Sequence, residues 1–395
     1  MKEEQSTAPI YHTVIIGAGA SGLFCAGSFK APKLVLEAKS APALKVSFSG
    51  GKKCNFSNLT VSAADYESAQ KHFCKSALAA FKPTDFTALL DEQKIPYEQR
   101  EEGKLFGKNA QHIVDFLVKR AQDNHTTIKL NTRVQRVEKG PAGFVVYTDG
   151  GKFLAQNVVL ACGGNSFPLL GGNSFGPKFA REIGIPLIEQ RPALCGLETP
   201  KNWRETFKNL VGNSLPAAVS VGKKTFQNAL LFTHRGISGP AVLSASLYWH
   251  EGEAVRVNFL PQEDVTKILK SHKNSTLTVS GALKEKISPK IAKTILQELD
   301  QPLANATKET LRQAALRLQE FTFVPTGTNG YQTAEVTAGG IDTRQINPST
   351  FEVRSQKGLY IIGEILDVTG RLGGFNLHWA WCSGFCAAKA LEKIY

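Results

Sequence analysis

The stretch Thr13-Val14-Ile15-Ile16-Gly17-Ala18-Gly19-Ala20-Ser21-Gly22, followed by Lys33-Leu34-Val35-Leu36-Glu37-Ala38, decides the fold. Thr13–Ile16 is a short apolar run of strand type. Gly17–Gly22 spells GxGxxG, small residues at helical spacing continue to Phe29, and a second apolar run ends on Glu37. Strand, glycine turn, helix and strand thus close one βαβ unit within about 25 residues. In this context each glycine has a task. The first permits the tight turn, the second lets the backbone approach a pyrophosphate, and the third lets helix and strand pack closely. The helix N-terminus adds N–H donors and a favourable dipole for phosphate. Glu37 lies 20 residues after Gly17, where an acid takes ribose hydroxyls. A bare GxGxxG is weak evidence, but with both strands and the acid in place it reads as a dinucleotide site.

The far end of the chain narrows the dinucleotide to FAD. Gly358-Leu359-Tyr360-Ile361-Ile362-Gly363-Glu364 is an apolar strand ending in Gly-Glu, and Gly373-Gly374-Phe375-Asn376 opens a helix pattern running to Ile394. A carboxylate at a strand end can hold a polyol chain. A helix N-terminus stabilises negative charge on a reduced isoalloxazine. A nicotinamide enzyme has no use for both. No second GxGxxG precedes this strand, so any NAD(P)H is expected to visit the flavin transiently rather than occupy its own domain.

Between these ends, 84–93 and 110–123 read as amphipathic helices. Four strand-like pieces follow, TIKL, TRVQRVE, GFVVYT and KFLA, then a buried strand at 157–164 (NVVLACGG) and a proline-started helix over 177–183. The pattern changes at Arg191–Pro192. From 193 to 261 it is strand-like with Gly, Asn and Pro turns, from 262 to 319 helical and Lys-rich, and at 320–333 strand-like again. The expected organisation is an α/β, Rossmann-like FAD-binding domain of the two-dinucleotide-binding type, formed by 1–192 and 334–395. It is interrupted by an insert, 193–333, with a β-barrel-like part and a helical part.

Composition excludes several classes. With 42% hydrophobic residues in 395, the chain has material for sizeable cores and is too long for one. No run of about 18 apolar residues spans a membrane. The residues before Val14 carry Glu3 and Glu4 and no apolar stretch, so no export signal is expected. The seven cysteines (25, 54, 74, 162, 195, 382 and 386) are scattered, with no CxxC and no ligand-like spacing to histidine. A reduced, cytoplasmic protein without structural disulfides or a metal follows. The net charge of +13 can attract nucleic acid or anionic ligands, but it is spread along the chain. Its densest cluster, Lys284, Lys286, Lys290 and Lys293, reads as a solvated helix face.

Four segments, SFSGGKKCNFSN (47–58), LLFTHRGISGPAVLSAS (230–246), TAGGIDT (337–343) and GLYIIGEILDVTGRLGGFNLHWAWCSG (358–384), resemble the BaiN and aminoacetone-oxidase family of FAD-dependent oxidoreductases. With the N-terminal turn they span nearly the whole chain. Residue by residue, the resemblance implies pyrophosphate contacts from Gly17, Gly19, Ala20, Ser21 and Gly22. It places Glu37, Ala38 and Lys39 at the adenosine ribose, and Val134 at the adenine through its backbone. Gly51, Lys53, Cys54 and Asn55 would form a flavin-side loop, and Ala161, Cys162 and Gly163 the path between. Gly363 and Glu364 would meet the ribityl chain, and Gly373, Gly374, Phe375 and Asn376 the ring. Three places depart from the family pattern: Lys52-Lys53 where Gly-Arg is usual, Leu170–Gly176 where TGxTGDG is common, and Arg371-Leu372 before the last glycine pair.

The resemblance implies an enzyme acting on a small organic molecule, as a conjugated-ketone reductase or an amino-ketone oxidase. Weighed against it is a flavin-containing protein that binds or modifies nucleic acid such as tRNA. The charge supports that alternative, and the lack of aromatics among the lysines opposes it. Nucleic acid is therefore not the expected partner, and oligomeric state is unreadable. No catalytic residue stands out. Cys54 has no cysteine partner near in sequence and reads as packing or flavin contact. His234 reads as a strand-end histidine with a secondary claim to substrate contact, and Ser238 as a helix cap. Cys382 and Cys386 read as core.

Overall fold

The computed structural model describes residues 10–395, which form two compact units: the chain up to Arg191 together with Val336–Tyr395, and Pro192–Glu335. Among the described residues no helix is long and apolar enough to cross a membrane.

The first unit is built on one mixed sheet. Its strands are β1 (Ile10–Ile16), β2 (Lys33–Leu36), β3 (Thr126–Lys129), β4 (Val134–Gly140), β5 (Gly143–Thr148), β6 (Gly151–Leu160) and β7 (Leu359–Ile361). The order is β3-β2-β1-β6-β5-β4, with β7 joined to β6. β3, β2, β1, β6 and β7 run parallel; β5 pairs antiparallel with β6, and β4 antiparallel with β5. The segments read separately as KFLA and NVVL are one strand. Its start pairs with β5 (Phe153↔Val146) and its end with β7 (Leu160↔Ile361). Gln156 breaks the apolar run without breaking the strand, because the backbone ladder with β1 continues on both sides of it.

The central strands are apolar on both faces because both faces are covered. Val14, Ile15, Leu34, Val35, Val158, Val159 and Leu160 are buried. The helices on the sheet include α1 (Ala20–Ala26), α2 (Ala110–Asp123) and the C-terminal α3 (Phe375–Glu392). α3 approaches α1 closely at Gly384, where an added Cβ would sit 2.8 Å from Ser21 O. Phe24, Phe56, Phe86 and Trp381 fill the space beside α1, with Phe86 and Trp381 stacked at 4.9 Å. Cys382 and Cys386 are in this core.

The second unit is an antiparallel seven-stranded sheet with helices at Val265–Ser271, Pro289–Leu296 and Lys308–Gln319. Its long strands are Ser214–Val221 and Lys224–Phe232. The two edge strands, Phe321–Phe323 and Gly327–Thr328, are consecutive in the chain. Only residues 324–326 link these two edges, and no ladder pairs them, so among the described residues the sheet is an open one. Two local readings need correction. Lys284 and Lys286 lie in a turn before the helix that carries Lys290 and Lys293, so the four do not share one helix face. Ser238 ends a strand, and the helix Pro240–Ser246 is entered through Gly239 at φ 91°, with no cap from the serine.

Candidate functional site

The parallel register aligns Ile16, Leu36, Leu160 and Ile361 at the carboxyl ends of adjacent strands. Gly17, Glu37 and Ala161 follow the first three directly, and Gly363 comes one residue after Ile362 on the fourth, so all four emerge at one edge. The carboxyl edge of a parallel sheet is where open α/β folds place their ligands. Four clusters scattered over 350 residues of sequence become one rim by this register alone.

At the adenosine end the glycine turn is tight where the motif requires it and open where a ligand must enter. An added Cβ at Gly17 would lie 2.5 Å from Ala161 O, and one at Gly22 only 2.0 Å from Gly17 O. At Gly19 it would meet nothing within 4 Å. The first turn of α1 leaves its N–H groups without intrahelical partners, as donors for a phosphate. Glu37 braces the turn, accepting from Ala18 N at 2.9 Å and Lys39 N at 2.9 Å. Each carboxylate oxygen keeps a lone pair for a ribose hydroxyl. The segment leading to Val134 is tied to the same place, through Asn131 N to Lys39 O (2.9 Å) and Thr132 N to Glu37 O (2.8 Å). Ala38 and Lys39 are half-buried beside it.

At the other end, Glu364 is held by donors that the sequence did not suggest. Its Oε1 accepts from Ser166 Oγ (2.9 Å) and Thr337 N (3.0 Å), and its Oε2 pairs with Lys45 Nζ at 3.1 Å. Burial alone would raise this carboxyl. The Lys45 charge and the two hydrogen bonds outweigh burial and hold it below the usual range. Gly163, at φ 70°, lies against it, so a Cβ there would be 3.7 Å from Oε2. Cys162 is a neutral thiol, pushed up to about 12 by burial.

The flavin-side loop is unusual in its backbone. Gly50, Gly51, Lys52 and Cys54 all have φ between 54° and 66°. Two of these are not glycine, and such strain gathers at ligand clamps. Gly51 and Lys53 are exposed, whereas Cys54 is buried. Burial pushes the Cys54 thiol up to about 12, so it is protonated at neutral pH and no nucleophile. Asn55, with its amide oriented to satisfy its partners, donates to Leu105 O (3.1 Å) and Ser57 O (3.2 Å) and accepts from Gly374 N (3.1 Å). The loop is thereby stitched to the start of α3. Asn376 closes the 370–376 turn on itself, its Oδ1 accepting from Gly370 N and its Nδ2 donating to Gly370 O, both at 2.8 Å. Arg371 is anchored to Asp65 (Nε to Oδ1, 2.7 Å) and lies 4.4 Å over the buried Phe375 ring. Asn55, Phe375 and Asn376 thus shape the α3 entrance, and backbone groups from Gly373 onward are what they present.

His234, the other weak candidate, is in the second unit, exposed in the turn after Lys224–Phe232. The sequence missed Lys45, Ser166 and Thr337. Lys45 and Glu364 are 319 residues apart, and no spacing rule links them.

An open glycine turn at a helix N-terminus, an acid at the next strand end, a half-buried carboxylate and a second helix N-terminus are groups that could hold FAD. Fold and site define an FAD-dependent oxidoreductase of Rossmann type, and hence an enzyme. The chain belongs to the HI0933-like family, whose Rossmann-domain model matches residues 11–390. It is 38% identical to a ribosomal RNA dihydrouridine synthase of Escherichia coli, over 96% of this chain and 98% of the relative. It is 40% identical to the Haemophilus influenzae protein of that name, with the same coverage. A 3-dehydro-bile acid delta(4,6)-reductase of Clostridium scindens is 29% identical over 96% of this chain and 98% of the relative. It agrees with the BaiN-type resemblance of the motifs. Among solved structures, the open conformation of a flavocytochrome c3 fumarate reductase shares the fold at 15% identity. Its TM-score is 0.50, covering 98% of this chain and 79% of that one.

Proposed function

We propose that the protein is an FAD-dependent reductase that converts uridine in ribosomal RNA to dihydrouridine. The observation that carries this reading is the end-to-end similarity, at 38% and 40% identity, to two ribosomal RNA dihydrouridine synthases. The reading reverses the order expected from sequence, in which a small organic substrate came first. The charge of +13, set aside there as diffuse, suits a polyanionic substrate. The more distant bile-acid relative supports the same chemistry on a different molecule. In both substrates the double bond is conjugated to a carbonyl, so the direction is reduction and the amino-ketone oxidase reading recedes.

FAD, when bound, would supply the hydride equivalent, and the chain's own residues would hold it in place. Gly17–Gly22 and the first turn of α1 hold the pyrophosphate. Glu37, with Ala38, Lys39 and the Val134 backbone, orients the adenosine. Ala161–Gly163 line the path, and Gly363–Glu364, fixed by Lys45, Ser166 and Thr337, face the ribityl chain. The Gly51–Asn55 loop and Gly373–Asn376 frame the ring, where the α3 N-terminus favours negative charge. Cys54 stays a protonated packing group. A visiting NAD(P)H would supply the electrons, since no second GxGxxG turn offers it a domain of its own.

The test is nucleoside mass spectrometry of ribosomal RNA from a strain lacking this protein. Dihydrouridine in ribosomal RNA should fall and return with the wild-type gene but not with Gly19→Val. Unchanged dihydrouridine in the deletion would contradict the proposal.

A further inference from the structure

The second unit carries a basic pocket that the flavin chemistry does not use. It has a volume of about 330 Å³ and is lined by Lys201, Arg204, Glu205, Lys208, Thr233 and His234, together with Val211. Lys201, Arg204 and Lys208 are spaced i, i+3, i+7. The helix Lys201–Phe207 runs straight into a 3₁₀ turn at Lys208–Leu210, which puts all three on one face. The opposing wall is the strand turn at Thr233–His234, pinned by Thr233 N to Gly236 O at 2.8 Å. Glu205 is the one acid of the lining and pairs with Lys208 at 3.5 Å. Among the described residues neither Lys201 nor Arg204 meets a carboxylate. The Arg204 Nε is buried with no hydrogen-bond partner. A guanidinium with a buried, unsatisfied N–H normally costs free energy. With Arg204, two lysines (Lys208 shared with Glu205), an imidazole and a hydroxyl line the same pocket, a donor set that suits a tetrahedral oxyanion.

We propose that this pocket grips a phosphodiester of the RNA backbone, as an anchoring site that sets affinity and salt dependence rather than the chemistry. The inference rests on the RNA reading above. Its ligand chemistry, a phosphate group, is shared by free inorganic phosphate, and the experiment separates the two.

FAD-loaded protein is titrated with protein-free ribosomal RNA from a strain lacking it, between about 50 and 200 mM KCl, with and without inorganic phosphate. The variants are Lys201→Ala/Arg204→Ala/Lys208→Ala and, with Arg204 intact against any folding defect, Lys201→Gln/Lys208→Gln. The control is Lys290→Ala/Lys293→Ala/Lys308→Ala, with the same loss of charge on exposed helix faces. The pocket variants should keep their flavin, bind RNA roughly tenfold or more weakly, and show a salt slope flatter by about two. The control should change by less than about threefold. Equal loss in pocket and control variants would reduce the effect to overall charge and overturn the site. So would wild-type RNA affinity in the pocket variants, or loss of phosphate competition alone, which would assign the pocket to free phosphate. If the wild type itself binds no RNA, the RNA reading falls and this inference with it.

Discussion

His378 shows how one buried side chain ties the flavin-side helix to solution pH. It is fully buried, its Nδ1 lies 2.9 Å from Ser57 Oγ, and its Nε2 has no partner. Burial pushes its pKa down to about 4. The unfolded chain, with histidine near 6.5, therefore binds the proton first on acidification. The contribution to stability is complete above about pH 6.5 and is lost as pH falls from there through about 4, at roughly 1.4 kcal/mol per unit. Between pH 7 and 5 the wild type should lose about 2 kcal/mol more than His378→Leu in urea unfolding. Parallel losses in both proteins would show that the imidazole is not held neutral. The glycines offer a second test. Gly22→Ala forces a Cβ to within 2.0 Å of Gly17 O, whereas Gly19→Ala points into open space. Gly22→Ala should lower stability by ~1–3 kcal/mol and lose flavin. Gly19→Ala should melt like the apo wild type and lose flavin alone. Melting curves and the flavin-to-protein absorbance ratio check both, and a stable, flavin-loaded Gly22→Ala would refute the packing argument.

At the scale of elements, what was legible in the sequence was local. The βαβ unit announces itself because strand, turn, helix and acid fall within one short window. α3 does so because Gly373–Asn376 precedes a long apolar helix pattern. What escaped depends on contacts that no periodicity records. Lys45, on the helix Leu44–Lys52, finds Glu364 across 319 residues only through the tertiary fold. The split of β6 into two expected strands followed Gln156, a single polar residue that the ladder tolerates. The lysine face over 284–293 failed because Pro289 starts the helix only after two of the four lysines. The face that does line a pocket, Lys201, Arg204 and Lys208, is short and needs the Thr233–His234 turn opposite it to become concave. That turn was singled out as a substrate contact without its basic partners.

At the scale of the whole molecule the fold supplies a flavin platform, and the choice of substrate distinguishes this chain from other flavoproteins of the same architecture. Relatives that reduce ribosomal RNA and a bile acid share one chemical demand, a carbonyl-conjugated double bond that accepts hydride. The discriminating measurement is single-turnover reoxidation of the reduced flavin without oxygen. The protein is reduced with dithionite and mixed with ribosomal RNA from a strain lacking it, with the same RNA from the parent strain, or with a 3-keto-4,6-diene steroid. The account predicts that the unmodified RNA restores the oxidised flavin spectrum, with one dihydrouridine formed per flavin oxidised, and that RNA from the parent strain does not. Reoxidation by the steroid with none by the unmodified RNA would contradict it.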